Sequence, residues 1–150
     1  MLDIARRRNR YQHVVLVQKE MCPLDYPDCC ADLIVGGYAL RNAPDLKHTL
    51  TEIHRVLKPG GIGAFLDFSK PKNRVLQSVE YQLLKMWGGL WGLLLHGDVR
   101  VHGYISASLK GYPDRDRLQY LLRKLGFEIL RRKQFLLGII EVVVVRKTAS

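Results

Sequence analysis

The residues best placed to do chemistry lie just after two apolar stretches in the first half of the chain. Leu33–Val35 is a short apolar run followed by the glycine-led segment Gly36–Asn42, and Ile62–Phe68 is a longer run that passes into Asp67–Lys70. Apolar runs of this length suit strands that are buried on both faces of a parallel sheet. Ligands of such sheets sit beyond the carboxyl ends of the strands, so these two segments are predicted to line a ligand site.

The sequence between these strands predicts a crossover helix. Pro44 suits a first helical turn, where a missing N–H costs little, and Asp45 is favourably placed near its positive end. One apolar face is formed at helical spacing by Leu46, Leu50, Ile53 and Leu57. Lys58 precedes Pro59 and leaves helical geometry, and the glycine pair after it turns the chain. A helix this short cannot reach past a neighbouring strand, so the two strands are predicted to lie side by side and parallel.

The remaining sequence predicts a single α/β domain over residues 1–150. The predicted elements are a strand at Val14–Gln18, a helical stretch at Asn73–Leu95, a helix at Arg115–Leu125 capped by Gly126, and an antiparallel hairpin of Phe127–Phe135 with Ile139–Arg146. The four valines at 142–145 predict that the last strand is buried on both faces.

The chain is basic, with a formal net charge of +10 at pH 7. This charge fits an anionic partner, either nucleic acid or a membrane surface, and it fits a solvated basic face equally well. We expect no nucleic-acid partner because no helix-turn-helix, RNP or zinc pattern is present. Three cysteines without a second ligand pair at zinc spacing favour a reduced compartment and no metal. The sequence opens without an apolar h-region, so no secretory signal is expected.

Three motifs carry a resemblance to a known family. GYALRN at Gly37–Asn42, HRVLKPGG at His54–Gly61 and LDFSKP at Leu66–Pro71 together resemble the UbiE-type C-methyltransferases of ubiquinone, menaquinone and phylloquinone biosynthesis. Val15–Asp28 is similar to the family's third strand and its adenine-binding loop, and Gly103–Phe127 is similar to its closing segment. The resemblance covers almost the whole chain. It implies a Rossmann-like class I methyltransferase sheet that ends in an antiparallel hairpin.

The first two strands of that fold, with their glycine-rich turn and ribose-binding acid, have no counterpart in the sequence. The glycines at 60, 61 and 63 precede a strand, whereas a dinucleotide-type turn follows one. We therefore expect a domain truncated at its amino end, with apolar strand edges that seek partners. Either Val14–Gln18 should pair with Leu33–Gly36, or another chain should complete the edge.

The resemblance implies roles for three sets of residues. Arg41 would support the phenolate of a quinol acceptor electrostatically through water, and Asn42 would set the loop. The alternative for Arg41 is a structural ion pair with a carboxylate. The implied cofactor-binding residues, for S-adenosyl-L-methionine, are Glu20, Met21, Gly36, Gly37 and Tyr38. The candidate acceptor-binding residues are Tyr104, which matches the family, and Trp87 and Trp91, which lie in an apolar stretch that suits either a substrate pocket or the core.

These implications describe an S-adenosylmethionine-dependent C-methyltransferase acting on a prenylated quinol, such as a demethylmenaquinol, a demethylphylloquinol or a ubiquinol precursor. The alternative is a non-catalytic remnant or partner protein that keeps the fold and an apolar pocket without a cofactor site. Peripheral membrane contact and a homo-oligomer are further expectations. The compartment stays open between bacterial cytoplasm or membrane surface and a eukaryotic plastid or mitochondrion. The apolar stretch Met86–Leu95 is expected beside Arg41, because a prenylated acceptor needs an apolar wall next to its ring site.

Overall fold

The computed structural model describes residues 4–5, 13–70, 78, 82, 86 and 111–149. Within these ranges no helix is both long enough and apolar enough to cross a bilayer. In chain order the elements are β1 Ala31–Gly37, a 3-10 turn Leu40–Asn42, α1 Leu46–Val56, β2 Leu57–Phe68, α2 Arg115–Lys124, β3 Phe127–Phe135, a 3-10 turn Leu136–Gly138 and β4 Ile140–Lys147.

The four described strands form one sheet in the order β1-β2-β4-β3. β1 and β2 pair in parallel, while β4 is antiparallel to both β2 and β3. The predicted side-by-side parallel pair and the closing hairpin are therefore confirmed. Gly37 lies opposite Leu66 in the register of β1 and β2. Because of this register, the turn that follows β1 meets the last residues of β2.

Helix α1 begins one step later than the proline pattern predicts. Asp45 is its N-cap, and the carboxylate of Asp45 accepts a hydrogen bond of 3.0 Å from the backbone N–H of His48. Pro44 consequently lies outside the first turn, so that part of the prediction is wrong. A carboxylate cap is worth about 1 kcal/mol, more than a proline at the first position offers. The predicted apolar face is present, with Leu50 and Ile53 buried.

The passage from α1 into β2 is tighter than expected. Leu57 opens the strand directly and does not complete the helical stripe. Ala31 of β1 pairs with Leu57, but Leu33 pairs with Ile62, so the residues between them on β2 bulge outward. The predicted turn at the glycine pair is this bulge. Gly60 permits it because its φ is +78°, a value that side-chain-bearing residues avoid.

Two predictions about strand burial are wrong. Val14–Gln18 has no strand structure, and Val15 is 81% exposed. Val14–Gln18 therefore does not pair with β1, and the predicted direct pairing is not observed. β1 is not buried on both faces either, since Leu33 is 59% and Val35 71% exposed. Among the described residues β1 has a neighbouring strand on one side only.

The core lies on one face of the sheet, beneath α1 and α2. It gathers buried residues from every described layer, including Leu50, Phe65, Leu118, Leu122 and Val145. Gly126 ends α2 with a φ of +85°, as the cap prediction requires. In β4 only alternate valines are fully buried, at 143 and 145, while those at 142 and 144 are half-buried. The expectation of equal burial on both faces is therefore wrong for β4.

Candidate functional site

The carboxyl ends of β1 and β2 are joined by a compact turn. The backbone N–H of Tyr38 donates a 2.7 Å hydrogen bond to the carbonyl of Leu66, and the Asn42 side-chain amide donates one of 2.8 Å back to the Tyr38 carbonyl. Tyr38 takes a φ of 54°, and its ring lies 5.3 Å from that of Phe68. The predicted loop-setting role of Asn42 fits this geometry. The turn thus presents Tyr38 and the residues after it at one end of the sheet.

Arg41 is paired with a carboxylate that the sequence reading did not single out. Its Nε lies 3.4 Å from Asp67 Oδ1, a separation that suits an ion pair better than a short hydrogen bond. Both side chains are shielded, at 8% and 6% exposed. The guanidinium also stacks over the Phe68 ring at 4.8 Å from its centroid. The ion-pair alternative for Arg41 is therefore what the structure has.

Asp67 lies in the segment that the sequence predicts to line the site, but sequence reasoning gave it no role of its own. Its Oδ2 accepts a hydrogen bond of 3.0 Å from the backbone N–H of Arg41. Its Oδ1 accepts a hydrogen bond of 2.8 Å from the backbone N–H of Phe68. Burial raises the pKa of this carboxyl, and the backbone hydrogen bonds from Arg41 and Phe68 and the charge of Arg41 oppose the rise. One signal was present in the sequence. An acid that interrupts an apolar strand at its carboxyl end requires partners in the core.

A small cavity lies behind Asp67, between the end of β2, the start of β4 and the start of α2, and apolar atoms make up most of its lining. Its polar lining includes Asp67, Ser69, Lys70, Tyr112, Arg115 and Glu141. Burial raises the pKa of Tyr112, and the carboxylates of Asp67 and Glu141 raise it further. Burial lowers the pKa of Lys70. This end of the sheet is where the fold would bind a ligand.

The two glycines of β1 serve different purposes. A Cβ on Gly36 would lie 3.0 Å from Phe65 Cδ1, so Gly36 is required by packing within the sheet. Gly37 has no atom within 4 Å of the place where a Cβ would lie, and it is exposed. Of the two, only Gly37 offers open backbone to a bound molecule.

The loop that carries Glu20 and Met21 is anchored to α1 through Arg55, which contacts the later residues of the loop. The Arg55 guanidinium donates to the carbonyls of Leu24 and Tyr26, both at 2.8 Å, and to Asp28 Oδ1 at 2.6 Å. Glu52 braces Arg55 and accepts from the Leu24 backbone N–H at 3.0 Å. The segment from Leu24 to Asp28 is thereby fixed.

Glu20 and Met21 themselves precede this anchored segment. Glu20 is exposed and Met21 is half-buried. Trp87, Trp91 and Tyr104 lie outside the described residues, and so does most of Met86–Leu95. Met86 itself is helical and 71% exposed. The expectation that this stretch lies beside Arg41 therefore stays a prediction.

Comparison with known proteins adds the following. The model of the ubiE/COQ5 methyltransferase family matches residues 1–147. A demethylmenaquinone methyltransferase of Symbiobacterium thermophilum is 34% identical over 95% of this chain and 60% of its own length. A 2-phytyl-1,4-naphtoquinone methyltransferase of Nostoc punctiforme is 32% identical over 98% of this chain and 65% of its own. The chain thus spans less than two thirds of the length of these relatives.

Among solved structures, an S-adenosylmethionine-dependent methyltransferase from Mesorhizobium loti superposes with a TM-score of 0.65 at 16% identity. The superposition covers 97% of this chain and 75% of that one. At this identity the likeness speaks for the fold alone. It agrees with the class I methyltransferase sheet that the motifs imply.

Proposed function

This chain belongs to the ubiE/COQ5 methyltransferase family, and we propose that it acts in quinone biosynthesis as an S-adenosylmethionine-dependent C-methyltransferase. The proposed acceptor is a prenylated quinol, such as a demethylmenaquinol, a demethylphylloquinol or a ubiquinol precursor. The names of the similar relatives support this class, since they include methyltransferases of demethylmenaquinone and of a phytyl naphthoquinone.

One observation carries the proposal: Arg41 is held at the carboxyl end of β2 by Asp67. This is the end of the sheet at which a ligand of an α/β fold binds. An arginine fixed there provides a positive charge beside the cavity behind Asp67. A neutral or hydrophobic turn at this place would give a quinol oxygen no electrostatic support.

The residues present also fit the cofactor. S-adenosylmethionine supplies, when bound, an electrophilic methyl group. The exposed, unobstructed backbone of Gly37 would lie against it, and the exposed carboxylate of Glu20 could accept a hydrogen bond from an adenine amine. Met21 would pack on the adenine ring.

Arg41 then has a defined part in the reaction. Its guanidinium stays protonated at all working pH values, so it cannot serve as a base. Its positive charge stabilises the acceptor's phenolate, which pushes electron density onto the ring carbon that receives the methyl group. Because the Arg41 side chain is only 8% exposed, a water molecule would relay this contact. The proton of the acceptor hydroxyl would pass through the same water to bulk solvent. Methyl transfer would leave S-adenosylhomocysteine, and loss of the ring carbon's own proton to solvent would restore the aromatic ring.

The test is methyl transfer by the purified chain to a demethylmenaquinol with a short prenyl tail, followed by mass spectrometry. We expect a methylated product, and we expect Arg41→Met to lower kcat by about 100-fold. Arg123→Met is the matched control, because Arg123 is an exposed arginine at the far end of α2. Absence of product, together with no calorimetric heat on adding S-adenosylhomocysteine, would reject the proposal.

A second candidate function is a non-catalytic partner protein that keeps this fold. The exposed apolar residues Leu33 and Val35 favour it, because they lie on a strand that has one neighbouring strand among the described residues and could contact another chain. Calorimetry separates the candidates. A cofactor-dependent enzyme gives heat with S-adenosylhomocysteine, and a partner protein without a cofactor site gives none.

A further inference from the structure

Asp67 accepts backbone hydrogen bonds that join the turn carrying Arg41 to the end of β2. Its two oxygens accept from the backbone N–H groups of Arg41 at 3.0 Å and of Phe68 at 2.8 Å. The residue is 5% exposed. A buried carboxylate with these partners fixes the position of the turn relative to β2, across 26 residues of sequence.

The Arg41 side chain is confined on a second side. Its guanidinium carbon lies 4.8 Å from the centroid of the Phe68 ring, while Nε faces Asp67 Oδ1 at 3.4 Å. Two constraints at different angles leave the guanidinium little rotational freedom. An arginine has about 2 kcal/mol of rotamer entropy to lose, so such confinement has to be built by neighbours.

We propose that Asp67 is the positioning residue for Arg41, holding the guanidinium in the orientation in which it acts, through water, on the acceptor's oxygen. This inference rests on the proposed function above. It differs from a purely structural role for Asp67 in what it predicts. A structural carboxylate would affect only folding, whereas a positioning carboxylate controls Arg41 order and catalysis in the folded protein.

The ionisation of Asp67 allows this role to be tested through the pH dependence of methyl transfer. Only the carboxylate form holds Arg41 as an ion pair, and burial raises the pKa of this carboxyl above its usual range. The charged and titratable groups around it are Arg41 on the 3-10 turn, Lys70 after β2, Tyr112 ahead of α2, Arg115 on α2 and Glu141 on β4. Methyl transfer should therefore decline as pH falls through the raised pKa of Asp67.

The first test does not depend on catalysis. In protein labelled with ¹⁵N-arginine, we expect the Arg41 Nε–H to exchange with solvent about tenfold faster in Asp67→Asn than in wild type. Glu128→Gln is the matched control. Glu128 pairs with Arg146 at 2.7 Å on the sheet surface, so its loss should leave Arg41 exchange unchanged. The Arg41 Nε–H signal of the wild-type protein should also shift as Asp67 titrates, and this measurement does not depend on whether the variant folds.

The second test is the pH dependence of kcat. Wild type should show an acidic limb that Asp67→Asn lacks, with the variant's kcat lowered and its KM for the cofactor unchanged. Equal Arg41 exchange rates in wild type and Asp67→Asn would overturn the inference, and so would an acidic limb that survives the substitution. If neither the wild-type protein nor the variant transfers methyl groups, but their Arg41 exchange rates differ as expected, the proposed function fails while the positioning of Arg41 by Asp67 stands.

Discussion

Asp67 and Glu141 lie directly opposite each other on the adjacent strands β2 and β4, and each residue is 5% exposed. Like charges at opposed positions of a sheet destabilise it. Each carboxylate has an arginine of its own, Arg41 for Asp67 and Arg132 for Glu141, the latter at 2.8 Å. These arginines supply the positive charge that two carboxyl groups lying side by side in the core require.

This arrangement predicts a non-additive pair of substitutions. Asp67→Asn and Glu141→Gln should each destabilise the protein, because each strands a buried arginine. The double variant should lose more than the sum, by about 0.5–3 kcal/mol, because each single substitution already relieves the repulsion between the two carboxylates and the double variant can relieve it only once. Urea unfolding of the four proteins measures the coupling. Additivity within about 0.5 kcal/mol would mean that the two acids do not interact.

The Glu52–Arg55 pair predicts a pH dependence of stability. The hydrogen bond from Arg55 lowers the pKa of Glu52 from 4.5 to about 2, with help from the Leu24 N–H and against the effect of burial. A carboxyl whose folded pKa is depressed stabilises the protein above its unfolded pKa. That stability should be lost as pH falls from 4.5 to about 2.

Glu52→Gln should therefore lower the free energy of unfolding by about 1–2 kcal/mol at neutral pH. It should also flatten the acid limb of the plot of unfolding free energy against pH. Asp32→Asn serves as the control, because the Asp32 side chain is 81% exposed in its pair with Lys58 and should matter little. Chemical unfolding from pH 2 to pH 7 provides the comparison. An acid limb of equal slope in wild type and Glu52→Gln would show that Glu52 is not the group responsible.

Gly63 marks a point of close packing between β2 and β4. A Cβ there would lie 2.8 Å from Phe65 Cε2 and 3.0 Å from Val145 Cγ2. Gly63→Ala should cost about 1–3 kcal/mol, because Val145 is fully buried and cannot retreat. Gly37→Ala meets open space and should change the free energy of unfolding by less than about 0.5 kcal/mol. Similar losses in the free energy of unfolding for Gly63→Ala and Gly37→Ala would contradict the packing argument.

The free side of β1 predicts association with another chain. Leu33 and Val35 are exposed on a strand that has one neighbouring strand among the described residues, and apolar edges pair readily. We expect the purified chain to self-associate and Val35→Lys to suppress this. Val15→Lys, at a residue 81% exposed outside the sheet, should have no effect. Sedimentation velocity over a range of protein concentrations decides, and a monomer throughout would contradict the prediction.

Cofactor affinity offers a further check. The glycine-rich turn and ribose-binding acid that the resemblance leads us to look for have no counterpart in the sequence. We therefore expect this chain to bind S-adenosylmethionine far more weakly than the full-length Symbiobacterium relative does. Isothermal titration of both proteins measures the difference. Micromolar binding by a monomer of this chain, roughly −8 kcal/mol, would contradict the expectation.

The sequence by itself determined the elements whose signals are local. The stripe containing Leu50 and Ile53 predicted α1, and Gly126 predicted the end of α2. The parallel pair and the closing hairpin followed from connection lengths, because a short crossover or a short loop leaves few ways to pair two strands. The motif GYALRN likewise located the turn at the carboxyl end of β1.

Only the tertiary structure decided which strands are covered and which charges meet. The apolar runs at Val14–Gln18 and in β1 gave no sign of their exposure, because burial of a strand depends on neighbours from distant parts of the chain. The partnership of Arg41 with Asp67 was hidden for the same reason. The two residues are 26 positions apart in sequence, and the parallel register of β1 and β2 brings them into contact.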